Sequence, residues 1–170
     1  MNIVYMGGQK VGAECLKHIK KKHKVLATVG YTRHVKGKYK SIKNKGFIKA
    51  FRFADALLCV HGREIVPKWM LKKSINVHPF LLNYPGKDPI GRALKDGKDL
   101  AHVASHHMTE TVDSGPIIWI EYEDIAGLKT RRGIYNRLIS TYKIVADRTL
   151  NKVLMGGWKM TNLIKGRANG

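Results

Sequence analysis

The uninterrupted apolar run Ala56-Leu57-Leu58-Cys59-Val60 constrains this chain most. A strand with one wet face alternates apolar and polar residues, whereas a strand covered on both faces is apolar throughout. The segments around it supply that cover. Asn2 to Met6 is another short apolar strand, Gly7 and Gly8 make a turn, and Val11 to Lys22 carries Val11, Cys15, Leu16 and Ile19 on one helical face. Further strands are expected over Val25–Tyr31, Ile75–Val77, Ala101–Met108 and Ile117–Tyr122, with an exposed lysine-rich loop or short helix over Arg33–Gly46. Short helices are expected over Ile48–Phe53 and Asp88–Lys95, and a helical turn over Pro67–Leu71. Leu128–Leu154 reads as one long amphipathic helix, with Ile134, Leu138, Ile139, Ile144, Val145, Leu150, Val153 and Leu154 spaced for a core face and Gly156 and Gly157 stopping it. Strands alternating with helices predict an α/β architecture, a mostly parallel twisted sheet with helices on both faces.

At 170 residues the chain has the length of a single domain, taken as 1–170, with a frayed tail from Lys165 to Gly170. Its net charge of +20 is lopsided, since Glu14 is the only acid before Asp55. Such a field draws anions, whether phosphorylated metabolites or nucleic acid; the alternative is a solvated lysine-rich surface. No apolar run is long enough to span a bilayer and the N-terminus lacks a signal peptide's pattern, so a cytoplasmic protein without membrane contact is expected. Cys15 and Cys59 sit in apolar settings and read as small buried hydrophobes. No HExxH, Cys-His pairing or carboxylate cluster suggests a metal.

Chemistry concentrates between Ser74 and Ile120. Asn76 and His78 lie two apart on a short apolar run, so in a strand they share a face. Asp113 lies in the polar turn Thr-Val-Asp-Ser-Gly-Pro before the next strand. Together they could support attack of an amine on a carbonyl. The imidazole moves the proton, the carboxylate orients and balances it, and the amide donates to the oxyanion. Individually each has a plainer reading, as a turn cap, a core histidine and an Asx turn.

The ordered set Asn76, His78, Pro79, Leu81, Leu82, Pro85, Gly86, Ala93, Leu94, Gly97, His106, Val112, Asp113, Gly115, Pro116, Ile117 and Ile118 resembles the tetrahydrofolate-dependent formyltransferases. The likeness extends over Met1–Gly8 and Ala54–Pro67. Phe80 stands where that family has Ser, Asn83 where Pro is common and Ala104 where Thr is common, and the stretch before Ala54 is shortened. The resemblance implies a Rossmann-like fold, 10-formyltetrahydrofolate as formyl donor, and Asn76, His78 and Asp113 as catalytic residues. His78 would act as an imidazolium held charged by Asp113. Arg63, Ile65, Val66 and Val112 would contact the donor's pterin. Gly8, Gln9, Lys10, Pro85 and Gly86 would hold an anionic amine, glycinamide ribonucleotide being the best match. The alternatives are methionyl-tRNA held partly by the lysine-rich N-terminal third, an amino-sugar nucleotide, hydrolysis of the donor, or a non-catalytic nucleic-acid binder.

Overall fold

A computed structural model describes residues 1–156. Six strands form one sheet in the order β2-β1-β3-β4-β5-β6: β1 (Asn2–Gly7), β2 (Lys24–Gly30), β3 (Ala56–Val60), β4 (Ser74–Pro79), β5 (Leu100–His107) and β6 (Ile117–Asp124). The four strands β1 to β4 are mutually parallel. β5 runs antiparallel to both its neighbours, so only this strand is reversed. The connection 108–116 is shorter than the dozen or so residues a parallel crossover needs, which makes an antiparallel β5–β6 pair the accessible solution.

Two apolar clusters lie on opposite faces of the sheet. On one face, Ile3, Tyr5, Leu58, Val60, Ile75 and Val77 pack under α1 (Gln9–Ile19), α3 (Pro89–Lys95) and α4 (Arg131–Gly156). On the other, Val4, Met6, Ala27, Leu57 and Cys59 meet Phe47 and Phe51 of α2 (Lys45–Arg52) and Met70 of the 3-10 helix Lys68–Lys73. β3 contributes to both clusters, which is why it is apolar at every position. Cys15 and Cys59 are buried in different clusters, so the sheet separates them and burial pushes both thiols up to about 12.

Some boundaries differ from expectation. α2 starts at Lys45 because Asn44 caps it, its side chain accepting from the Gly46 amide. α4 starts at Arg131 rather than Leu128: Leu128 closes a turn onto the Ile125 carbonyl and Thr130 accepts from the Gly133 amide. Ile144 and Leu154, expected in the core, are 47% and 61% exposed. The buried stripe runs through Leu138, Tyr142, Val145 and Thr149. Ile144 is two positions beyond Tyr142, about 200° round the helix from it. Gly157 and the expected tail lie outside the described residues.

The departure at residue 80 is structural. Phe80 is 1% exposed, sits at φ +54 and packs its ring against those of Tyr84 and His102. Its amide donates to the His102 carbonyl, and His102 Nε2 accepts from the Leu82 amide, so a buried histidine secures the turn that leaves β4. Burial pushes the His102 ring down to about 4, which keeps that nitrogen an acceptor near neutral pH. Replacing Phe80 with Ala is expected to cost about 3–5 kcal/mol in urea unfolding, as for other large-to-small core changes.

Candidate functional site

On the second face, the 3-10 helix Lys68–Lys73 contacts β4 and β5, and two loops lie beside it. One is the segment 61–66 after β3. The other is 108–116, anchored where the Met108 amide donates to the Ser74 carbonyl. The Lys68–Glu110 ion pair, at 2.7 Å, joins the second loop to the 3-10 helix that follows the first. Between them lie the side chains that β4 and β5 turn to this face.

Asn76 and His78 share that face, and His106 stands directly across the β4–β5 ladder from Asn76. Asp113 is brought over them by its loop, at φ +55. Its Oδ1 accepts from Asn76 Nδ2 at 3.1 Å and faces His106 Nε2 at 3.4 Å. Its Oδ2 accepts from the Gly86 amide at 2.8 Å and faces His78 Nε2 at 3.3 Å. His78 Nε2 also points at the Gly86 carbonyl, 3.2 Å away. The three expected catalytic residues are thus together, and Gly86 touches two of them through its backbone.

Proton placement follows from these partners. His78 Nε2 meets only oxygens and so carries the hydrogen, leaving buried Nδ1 with a lone pair and no partner among the described residues. Burial lowers the His78 pKa more than the Asp113 charge raises it. The resting ring is therefore neutral near pH 7 rather than the imidazolium expected from the resemblance. His106 Nδ1 lies 2.9 Å from the His107 carbonyl oxygen, and its Nε2 lies 3.4 Å from Asp113 Oδ1. For Asp113, desolvation pushes upward, but the His106 hydrogen bond, the His78 charge and the Gly86 amide outweigh it and hold the carboxyl down to about 2.

The other expected contacts are more scattered. Arg63, Ile65 and Val112 are exposed on the two loops, Ile65 at 75% and Val112 at 60%. Val66 is buried in the second cluster, so it can offer a ligand only its backbone. Pro85 is exposed, its carbonyl accepting from Arg92. Gly8 is buried, its amide donating to the Val60 carbonyl, and Gln9 starts α1 at φ +55 with its amide on Thr32. Gln9 and Lys10 line a cleft of about 690 Å³ together with Val11, Thr32, Arg33, His34, Arg132, Tyr135 and Asn136. Its lining includes three formal cations and no carboxylate, beside the N-terminus of α1.

Sequence reasoning named neither Arg33, Arg132, Tyr135 and Asn136 nor His61 as parts of this region. Tyr135 lies against the His61 ring at 5.2 Å, and His61 Nε2 pairs with the buried Tyr142 hydroxyl at 2.9 Å. Burial and then the charge of His78 push His61 down to about 4. Loops after parallel strands converge at one sheet edge, and that rule applied to the segments after β2 and β3 would have flagged Arg33 and His61.

Because the Asp113 carboxyl is lowered from 3.8 to about 2, its stabilisation is complete above pH ~4 and lost as pH falls through about 2. Wild-type unfolding free energy should drop between pH 4 and 2 by about 2 kcal/mol more than that of Asp113→Asn, measured by urea melts. Gly115→Ala should also destabilise, by about 1–3 kcal/mol, because a Cβ there collides with the His107 carbonyl and displaces the Asp113 loop.

Residues 54–149 match the family described as Formyl transferase. Over 123 residues the chain is 31% identical to a methionyl-tRNA formyltransferase of Phenylobacterium zucineum, covering 68% of this chain and 40% of that protein. Over 65 residues it is 45% identical to the phosphoribosylglycinamide formyltransferase of Bacillus subtilis, covering 38% of this chain and 29% of that one. The chain therefore spans less than half the length of these relatives. Among solved structures, phosphoribosylglycinamide formyltransferase from Anaplasma phagocytophilum superposes with a TM-score of 0.75 at 16% identity, covering 91% of this chain and 87% of that one. A formyltetrahydrofolate deformylase from Pseudomonas syringae gives 0.71 at 20% identity, covering 91% and 61%. With the family match spanning more than half of its length, this chain belongs to the formyl transferase family.

Proposed function

We propose that this chain transfers a formyl group from 10-formyltetrahydrofolate to the primary amine of a phosphorylated acceptor, glycinamide ribonucleotide being the preferred candidate. The observation that carries the proposal is the convergence of Asn76, His78 and Asp113 on one face of the sheet, in a chain that also has a cationic cleft at the N-terminus of α1. The exposed Ile65 and Val112 flank that face and suit a flat, partly apolar donor. Arg33, Lys10, Arg132 and the first amides of α1 would hold the acceptor's phosphate, with Gly8 and Gln9 shaping the turn.

The resting charges set the roles. His78, neutral at rest, takes the proton shed by the amine as the new C–N bond forms. Asp113 holds the resulting imidazolium, and Asn76 donates to the oxygen on which charge develops. His78 then returns its proton to the departing nitrogen as the old C–N bond breaks. Asp113, ionised throughout, orients the ring through Nε2.

Methionyl-tRNA is the second reading, favoured by the relatives of that name and by the basic N-terminal third. Steady-state turnover of 10-formyltetrahydrofolate with glycinamide ribonucleotide tests the proposal. Asn76→Ala, His78→Ala and Asp113→Ala should each lose ~10²–10³ or more in kcat with the fold kept, and near-normal turnover in any of them rejects its role. The wild-type rate should fall on acidification through a pKa below the usual 6.5 of histidine, because protonating His78 removes the base. Arg33→Glu and Arg132→Glu should raise the acceptor KM while leaving kcat nearly unchanged.

A further inference from the structure

Phe53 and Trp69 are 69% and 53% exposed, although large aromatic rings normally seek the interior. Phe53 caps α2, and Trp69 belongs to the 3-10 helix that leads directly into β4. Both segments reach the sheet at the edge where β3 and β4 begin, whereas His78 stands near the opposite end of β4. The two segments are stitched together. Lys73 Nζ donates to the Ala54 carbonyl at 2.6 Å, reaches the Arg52 carbonyl at 3.5 Å and stands 4.7 Å over the Phe51 ring. Trp69 meets the same ring edge-on at 5.5 Å.

Cations surround the exposed rings. Lys49, Arg52 and Lys72 are exposed and have no ion-pair partner among the described residues. Lys68 is paired with Glu110, with both side chains largely in water, so the pair is weakly held. Bare aromatic rings beside unpaired cations are the combination that holds a nucleic-acid strand, bases stacking on the rings and phosphates meeting the charges. The net charge of +20 adds long-range attraction. An acidic peptide would account for the cations but not for two bare rings. A lipid surface asks for an outward apolar helix face, yet the two aromatic residues of α2, Phe47 and Phe51, are buried in the core and its exposed positions include Lys45, Lys49 and Arg52.

We infer that this surface binds single-stranded nucleic acid, with Phe53 and Trp69 as the stacking platform and Lys49, Arg52 and Lys72 as phosphate contacts. The inference uses no side chain placed in the Asp113 cluster or in the cationic cleft at the N-terminus of α1.

The test is binding of a labelled oligouridine to the full chain, read by fluorescence anisotropy across about 50 to 200 mM salt. Wild type is compared with the double variant Phe53→Ala/Trp69→Ala and with Lys49→Glu/Arg52→Glu/Lys72→Glu. Removing the rings should weaken binding about tenfold or more at every salt concentration. Reversing the charges should weaken it and flatten the salt dependence. Should Trp69→Ala perturb the fold by circular dichroism, Phe53→Ala alone carries the test, with about a fivefold loss expected. Unchanged affinity in the ring variants would show only a diffuse charge field and overturn the inference. So would no binding by wild type, or ring-dependent binding to phosphatidylserine vesicles with none to the oligonucleotide.

Discussion

The Asp113 carboxylate accepts from the Asn76 side chain and the Gly86 amide and faces the His78 and His106 rings, so segments far apart in sequence converge on one buried charge. A charge placed there needs several partners to be tolerated, and two of them, Asn76 and His78, are side chains the proposed reaction uses. Stability and function therefore draw on the same contacts. The left-handed backbone at Asp113 and Phe80, which carries strain for residues with a side chain, occurs in the loops that hold this cluster.

The sheet makes that convergence affordable. Parallel strands β1, β3 and β4 give a stiff base whose apolar residues feed both clusters. Reversal of β5 brings His106 across from Asn76 and starts the Asp113 loop beside the beginning of β4. Helices α1 and α4 pack on one face, while α2 and the 3-10 helix pack on the other, where the loops 61–66 and 108–116 border the Asp113 cluster.

Much of this was legible in the chain. The apolar run of β3, the period of α1 and the two-residue spacing of Asn76 and His78 depend on local pattern, and the structure follows them. What sequence left out depends on tertiary context. The antiparallel direction of β5 comes from the short 108–116 connection, and the neutral state of His78 from burial that outweighs a visible acid. The exposure of Ile144 reflects a stripe defined by what packs on α4, which hydropathy alone does not resolve. Arg33 and Arg132 meet in one cleft from opposite halves of the chain, and no local motif marks such a pair.

The most direct measurement follows the formyl carbon. A donor labelled with ¹³C at the formyl group, incubated with the protein and glycinamide ribonucleotide, is monitored by ¹³C NMR. The account predicts that the label moves to a formamide on the acceptor amine and that it stays on the donor when the amine is omitted. Release of labelled formate at the same rate with and without the amine, or no movement of label with any phosphorylated amine or methionyl-tRNA, would contradict it.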